Sequence, residues 1–359
     1  MEINQKKRLI LFFAIAYGMV AFTSIFMFIG TKMGKELSVF AQTMMLFPAC
    51  GVILGKLFFG DKEKKLPKAG YIVILVSTAI MLLINIASIF APTSMIQTGT
   101  GVEYSNWQLY NELVIYICSI VTYILFWTCG KEKRSNAGLC RKKIALSILF
   151  ILLFVVLIVF RIYVAGLYSA YVTGEGTGAL SSITEMLLSG STWANALFVI
   201  AYSLPLSWVM FFGEEYGWRY YLQPIMQDKF GKRLGVLLLG LVWAVWHWDA
   251  DFFFYSKESG LVMFASQFIT CVTIAIFFGY AYMKTHNIWV PVILHYINNN
   301  LSILLTAGTD VNAIQNQEPQ WGDLIFHLLG CLMFAVFIFA PVYNDKRKAA
   351  KAGIEESGN

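Results

Sequence analysis

Charge is scarce in this sequence. Only 13% of its 359 residues are Asp, Glu, Lys or Arg, against about a quarter in soluble domains, while 58% are hydrophobic. A water-soluble fold cannot hide that much apolar side chain. The six cysteines (Cys50, Cys118, Cys129, Cys140, Cys271 and Cys331) show neither regular spacing nor a metal-type pair. This supports no disulfide framework and no thiolate metal site. There is no internal repeat, no low-complexity tract, no soluble domain and no HExxH zinc helix. The first apolar stretch, 8–30, exceeds the roughly 7–15 residues of a signal-peptide core and lacks a small-residue cleavage site, so it reads as a retained span.

The apolar residues come in blocks of about 20, each enough to cross a hydrocarbon core about 30 Å thick. Ten blocks are predicted as spans: 8–30, 38–59, 71–91, 111–130, 144–167, 195–223, 235–249, 261–283, 288–306 and 323–343. The expected fold is therefore all-α, a polytopic membrane protein of about ten transmembrane helices. With the N-terminus inside, three of the 27 Lys and Arg residues (Lys32, Lys35, Lys257) fall outside and two (Lys56, Arg161) within spans. The other 22 lie on inner segments, from Lys6, Lys7 and Arg8 to a C-terminal tail with Lys346, Arg347, Lys348 and Lys351. That bias predicts cytoplasmic termini and a multi-pass protein of the cell membrane. It also accounts for the net charge of +6 as topology, with membrane lipids and not nucleic acid as partner. The outer stretches Pro92–Tyr110 and Tyr171–Leu188 carry no Lys or Arg, and the second has room for a short interfacial helix, Leu180–Leu188.

Ionisable side chains cluster only in the later spans. The sixth contains Pro205, which can kink it, and then Glu214-Glu215 with Arg219. Glu215 and Arg219, four apart, share a helix face and can pair, whereas Glu214 points about 100° away. One reading is a surface salt bridge at a cytoplasmic helix end. The other is a functional site, the default for a carboxylate in lipid. The seventh span ends Trp243-Ala-Val-Trp-His247-Trp-Asp249, where a lone histidine is more often packed than catalytic. In the ninth, His295 and Asn299 share a face. Helix-gluing covers Asn298 and Asn300 better than Asn299. At about 1.5 Å per residue, Glu214 lies ~13 Å deep, His295 ~10 Å and His247 ~18 Å, so the three are expected to meet in one cavity near the midplane.

Glu-Glu-x-x-x-Arg, Trp-x-x-x-His and His-x-x-x-Asn, in this order on apolar helices, resemble the motifs of the CAAX protease and bacteriocin-processing family of intramembrane glutamic endopeptidases. The resemblance covers about 195–310. It divides the chain into an N-terminal transmembrane region (1–194) with no recognised motif, a protease-like core (195–310), and a last span with a basic tail (311–359). It implies an endopeptidase acting on a membrane-associated peptide or lipidated protein, with a place in bacteriocin processing or immunity. Glu214 and His247 would activate a water, and His295 with Asn299 would stabilise the oxyanion. Glu215 and Arg219 would support the site. Where many members have Phe, Trp243 is expected to serve as the same aromatic wall. No cofactor is implied, and the competing form makes Glu214, His247 and His295 a zinc site with a bound water. Outside this class stand a transporter with a polar path and a silent immunity or binding protein on the same fold. His286 and His327 read as structural.

Overall fold

A computed structural model describes residues 3–97, 103–174, 177–306 and 314–344; the basic tail from Lys346 to Lys351 lies outside them. Helix α1 (Ile3–Lys32) buries Phe12, Ala16, Val20 and Met27 along one face and exposes Ile10, Phe22, Ile25 and Phe28 on the other. A stripe of this spacing is the mark of a helix with one packed side. Here the outer side is apolar as well, as suits a lipid solvent. The expected second span is broken into α2 (Ser38–Met44) and α3 (Phe47–Phe59), with Pro48 in the first turn of α3, where its missing N–H costs nothing. Helix α4 (Lys68–Phe90) leads to an antiparallel pair of short strands, β1 (Met95–Gln97) and β2 (Glu103–Ser105). Ser105 and Gln108 then form a reciprocal cap on α5 (Asn106–Thr128). A short α6 (Lys131–Asn136) precedes α7 (Ile144–Thr173), and α8 (Thr177–Leu188) takes the place expected for an interfacial helix.

The later half contains α9 (Gly190–Glu215), a π-helical stretch (Tyr216–Leu222) and α10 (Gln223–Phe230) in one continuous run of 41 residues. The expected stop before Pro224 does not occur, because that proline falls in the first turn of α10. Then come α11 (Lys232–Trp246), a second π stretch (Ala250–Tyr255), α12 (Gly260–Thr285), α13 (Trp289–Thr306) and α14 (Asp323–Ala335). The protein is an all-α multi-pass membrane protein. Among the described residues seven helical runs are long and apolar enough to cross a bilayer. The other three expected spans are helices too, but α11 and α14 have only 15 and 13 residues, and the 18 residues of α13 include three asparagines.

Two glycines bring the site-bearing run against the break between α2 and α3. A Cβ on Gly213 would overlap the Met45 carbonyl oxygen, and one on Gly217 would overlap the Pro48 ring. Placed four apart, they give the end of α9 and its π stretch a flat strip on which the α2–α3 break and the start of α3 lie at backbone distance. The intervening Glu214 and Glu215 are thereby turned inward towards α11 and α13.

Candidate active site

Six polar side chains named from the sequence lie on α9, the π stretch after it, α11 and α13, and five are buried. Glu215 and Arg219 are 0% exposed, Glu214 2%, His295 3% and His247 7%. Glu214 Oε2 accepts a 2.7 Å hydrogen bond from Trp243 Nε1, and Oε1 faces His295 Nε2 at 4.0 Å. His295 Nδ1 meets Glu215 Oε1 at 2.8 Å, which orients the ring through its second nitrogen. Glu215 Oε2 is 3.1 Å from Arg219 Nε, off the line of a hydrogen bond, so the contact is ionic. The guanidinium rests over Trp243 at 4.6 Å and Phe278 at 5.5 Å.

His247 lies at the C-terminal end of α11 with φ −82° and ψ 0°, in the sparsely populated bridge region where active-site residues recur. Its Nδ1 is 2.9 Å from the Trp243 carbonyl oxygen and 3.7 Å from Cys271 Sγ. Donation from Nδ1 to that carbonyl leaves Nε2 as the free nitrogen. The Trp243 indole packs against both imidazoles, with ring centroids 5.7 Å from His247 and 5.5 Å from His295. The π stretch that carries Arg219 is a distortion frequent at functional sites.

Asn299 is placed differently. It lies one turn beyond His295 but is exposed, and its Oδ1 accepts from Asn298 Nδ2 at 3.0 Å. His286 is exposed at the end of α12, and His327 pairs with Thr270 at 2.7 Å; neither joins this group. Glu214, His247 and His295 do not close into a ligand cluster: among the described residues, no three His, Cys, Asp or Glu side chains are grouped to hold a metal.

Sequence reasoning missed three features. Trp243 was expected only as an aromatic wall, yet its N–H fixes Glu214. Cys271 approaches His247 from α12. Asp249 and Asp251 are fully buried beside the end of α11, and among the described residues neither carboxylate oxygen of Asp251 has a hydrogen-bond partner. Two acids just after a Trp-His-Trp triplet, in a chain so poor in charge, were the available signal.

Residues 192–301 match the family described as Type II CAAX prenyl endopeptidase Rce1-like. The matched segment contains all three motifs from which the CAAX-protease resemblance was read, and it ends two residues after Asn299. Residues 1–191 lie outside it. No curated protein and no solved structure matches the chain.

Proposed function

We propose that the chain is an intramembrane endopeptidase of the cell membrane. It hydrolyses peptide bonds of a membrane-associated peptide or lipidated protein with a water activated by Glu214. The observation that carries the reading is the two-sided setting of this buried carboxylate. One oxygen is held by Trp243, and the other looks across 4.0 Å to His295. A gap of that size suits one water hydrogen-bonded to both groups. Glu214 takes a proton from the water as its oxygen attacks the peptide carbonyl carbon, and His247 orients the nucleophile through its free Nε2. When the C–N bond breaks, Glu214 returns the proton to the leaving amine.

As that water adds to the carbonyl carbon, His295 shifts its Nε2–H hydrogen bond from the water to the oxyanion developing on the same carbon. Its Nδ1–H is held by Glu215, so the imidazolium form donates at both ends. Asn299 supplies a second donor when substrate lies along α13. Glu215 and Arg219 position the ring. The step proposed here runs through side chains alone; among the described residues no three His, Cys, Asp or Glu side chains are grouped to hold a metal.

The test compares protein termini in membranes holding the native chain or its Glu214→Ala and Glu214→Gln forms. A set of cleaved termini present with the native chain is expected to fall about a hundred- to ten-thousandfold in both variants. Identical termini in all three sink the protease reading. They would leave a silent binder if the phenotype survives Glu214→Ala, or a transporter if an ion or metabolite flux is lost with it.

A further inference from the structure

Arg161 is a cation deep within a membrane-spanning helix. On α7 it stands 17 residues after Ile144 and 12 before Thr173. At about 1.5 Å per residue this puts it roughly 26 Å and 18 Å from the two helix ends. A charge at such depth calls for a partner. Among the described residues, none of the ion pairs within 4.0 Å includes Arg161. Its guanidinium donates instead to two neutral acceptors on α13, Asn298 Oδ1 at 3.3 Å and Ser302 Oγ at 3.4 Å.

Arg161 lines a cavity of about 820 Å3 bordered by α7, α8, α12, α13 and α14. Much of the wall is apolar, including Ile162, Ile183 and Phe326. The one carboxylate that lines it among the described residues, Asp323, already accepts from the Tyr168 hydroxyl and from the Gln320 backbone N–H. The cavity therefore offers apolar room, hydrogen-bonding groups and one positive charge without a counter-ion among the described residues.

The cavity also adjoins the candidate active site through two helices. On α12, Thr270 faces the cavity while its neighbour Cys271 approaches His247. On α13, Asn298 faces the cavity, and His295, three residues earlier, faces Glu214 and Glu215.

We propose that this cavity receives the C-terminal end of the peptide substrate, whose free α-carboxylate pairs with Arg161 beside Asn298 and Ser302. The inference rests on the protease reading, because it places the rest of the peptide along α13 at Glu214. A planar guanidinium is suited to a carboxylate, which it can engage through two nitrogens. A phospholipid headgroup offers an anion too, but its phosphate belongs at the membrane surface and not at the depth of Arg161.

Full-length Glu214→Ala protein in detergent micelles is titrated with a fluorescent farnesylated CAAX-type peptide bearing either a free C-terminal carboxylate or a carboxamide. The acid is expected to bind about tenfold or more tightly than the amide. Arg161→Gln should erase that ratio, and Arg161→Lys should keep part of it. Added phosphatidylglycerol should not displace the acid peptide. The inference is overturned if neither peptide binds, if acid and amide bind alike, or if Arg161→Gln weakens both equally. Displacement by phosphatidylglycerol with loss of the ratio would assign the site to a lipid anion. The readout is binding to a protein without the Glu214 carboxylate, so an acid preference without cleavage by the native chain would remove the enzyme reading alone.

Discussion

Arg219→Met tests the buried ion pair that supports the site. Arg219 and Glu215 are both 0% exposed and 3.1 Å apart. At an effective dielectric of about 20, that separation corresponds to ~5 kcal/mol of attraction. Among the described residues none of the three guanidinium nitrogens has a hydrogen-bond partner, so the Glu215 carboxylate is the charge that balances the cation. Removing Arg219 alone leaves the Glu215 carboxyl in an apolar site with only His295 before it, at an expected cost of about 3–5 kcal/mol. The double variant Glu215→Gln/Arg219→Met removes both charges while keeping similar volumes. It should regain most of that loss, because exchanging a buried pair for neutral side chains is often close to neutral. Unfolding in mixed micelles by increasing SDS, followed by tryptophan fluorescence, gives the order native, double, single. If Arg219→Met is as stable as the native chain, or the double variant is no more stable than the single, the pair does not hold this region together through its charge.

Gly213→Ala should be severely destabilising because the new methyl meets the Met45 carbonyl, whereas Gly18→Ala on α1, with nothing within 4 Å, should be neutral or gain up to about 1 kcal/mol; melting temperatures of the two variants decide. Trp243→Phe keeps an aromatic ring but removes the 2.7 Å hydrogen bond to Glu214, and should lower stability by about 1–3 kcal/mol in the same SDS titration. Asn299→Ala should leave unfolding unchanged, since the side chain is exposed, and lower kcat about a hundred- to a thousandfold if it donates to the oxyanion. An unchanged kcat would remove it from that role.

The helices and the site candidates were legible from the sequence for one reason: in a chain with so few charges, a carboxylate or imidazole inside an apolar block stands out. The four-residue spacing of Glu215 and Arg219 predicted their contact, and that pairing is found even though Arg219 lies on a π stretch. Spacing on single helices could not tell which carboxylate would take the hydrogen bond from His295. That choice is made between helices, and it fell to Glu215 at 2.8 Å with Glu214 at 4.0 Å. Nor could it foresee the indole N–H of Trp243 reaching Glu214, because a side chain's direction depends on how α11 is rotated against α9. The shortness of α11 was hidden for a related reason: apolar residues continue past Trp246 into a π stretch that keeps the hydropathy high while ending the α-helix.

The first half of the chain bears no motif, yet it fixes where the motifs stand. Trp246, beside His247, donates to the Ala16 carbonyl of α1 at 2.9 Å, and Tyr17 donates to the Val242 carbonyl at 2.5 Å. These bonds set the rotation of α11 and hence the aim of Trp243. Trp208 donates to the Ser119 carbonyl of α5, and the hydroxyls of Tyr71 and Tyr216 lie 2.6 Å apart, so α9 and the start of its π stretch are pinned by α5 and α4. The inward direction of Glu214 depends on Gly213 and Gly217 resting against the α2–α3 break. A fragment limited to residues 192–301 would keep every motif and lose each of these supports. Its carboxylates would then face lipid, or each other, without the helices that hold them towards His295.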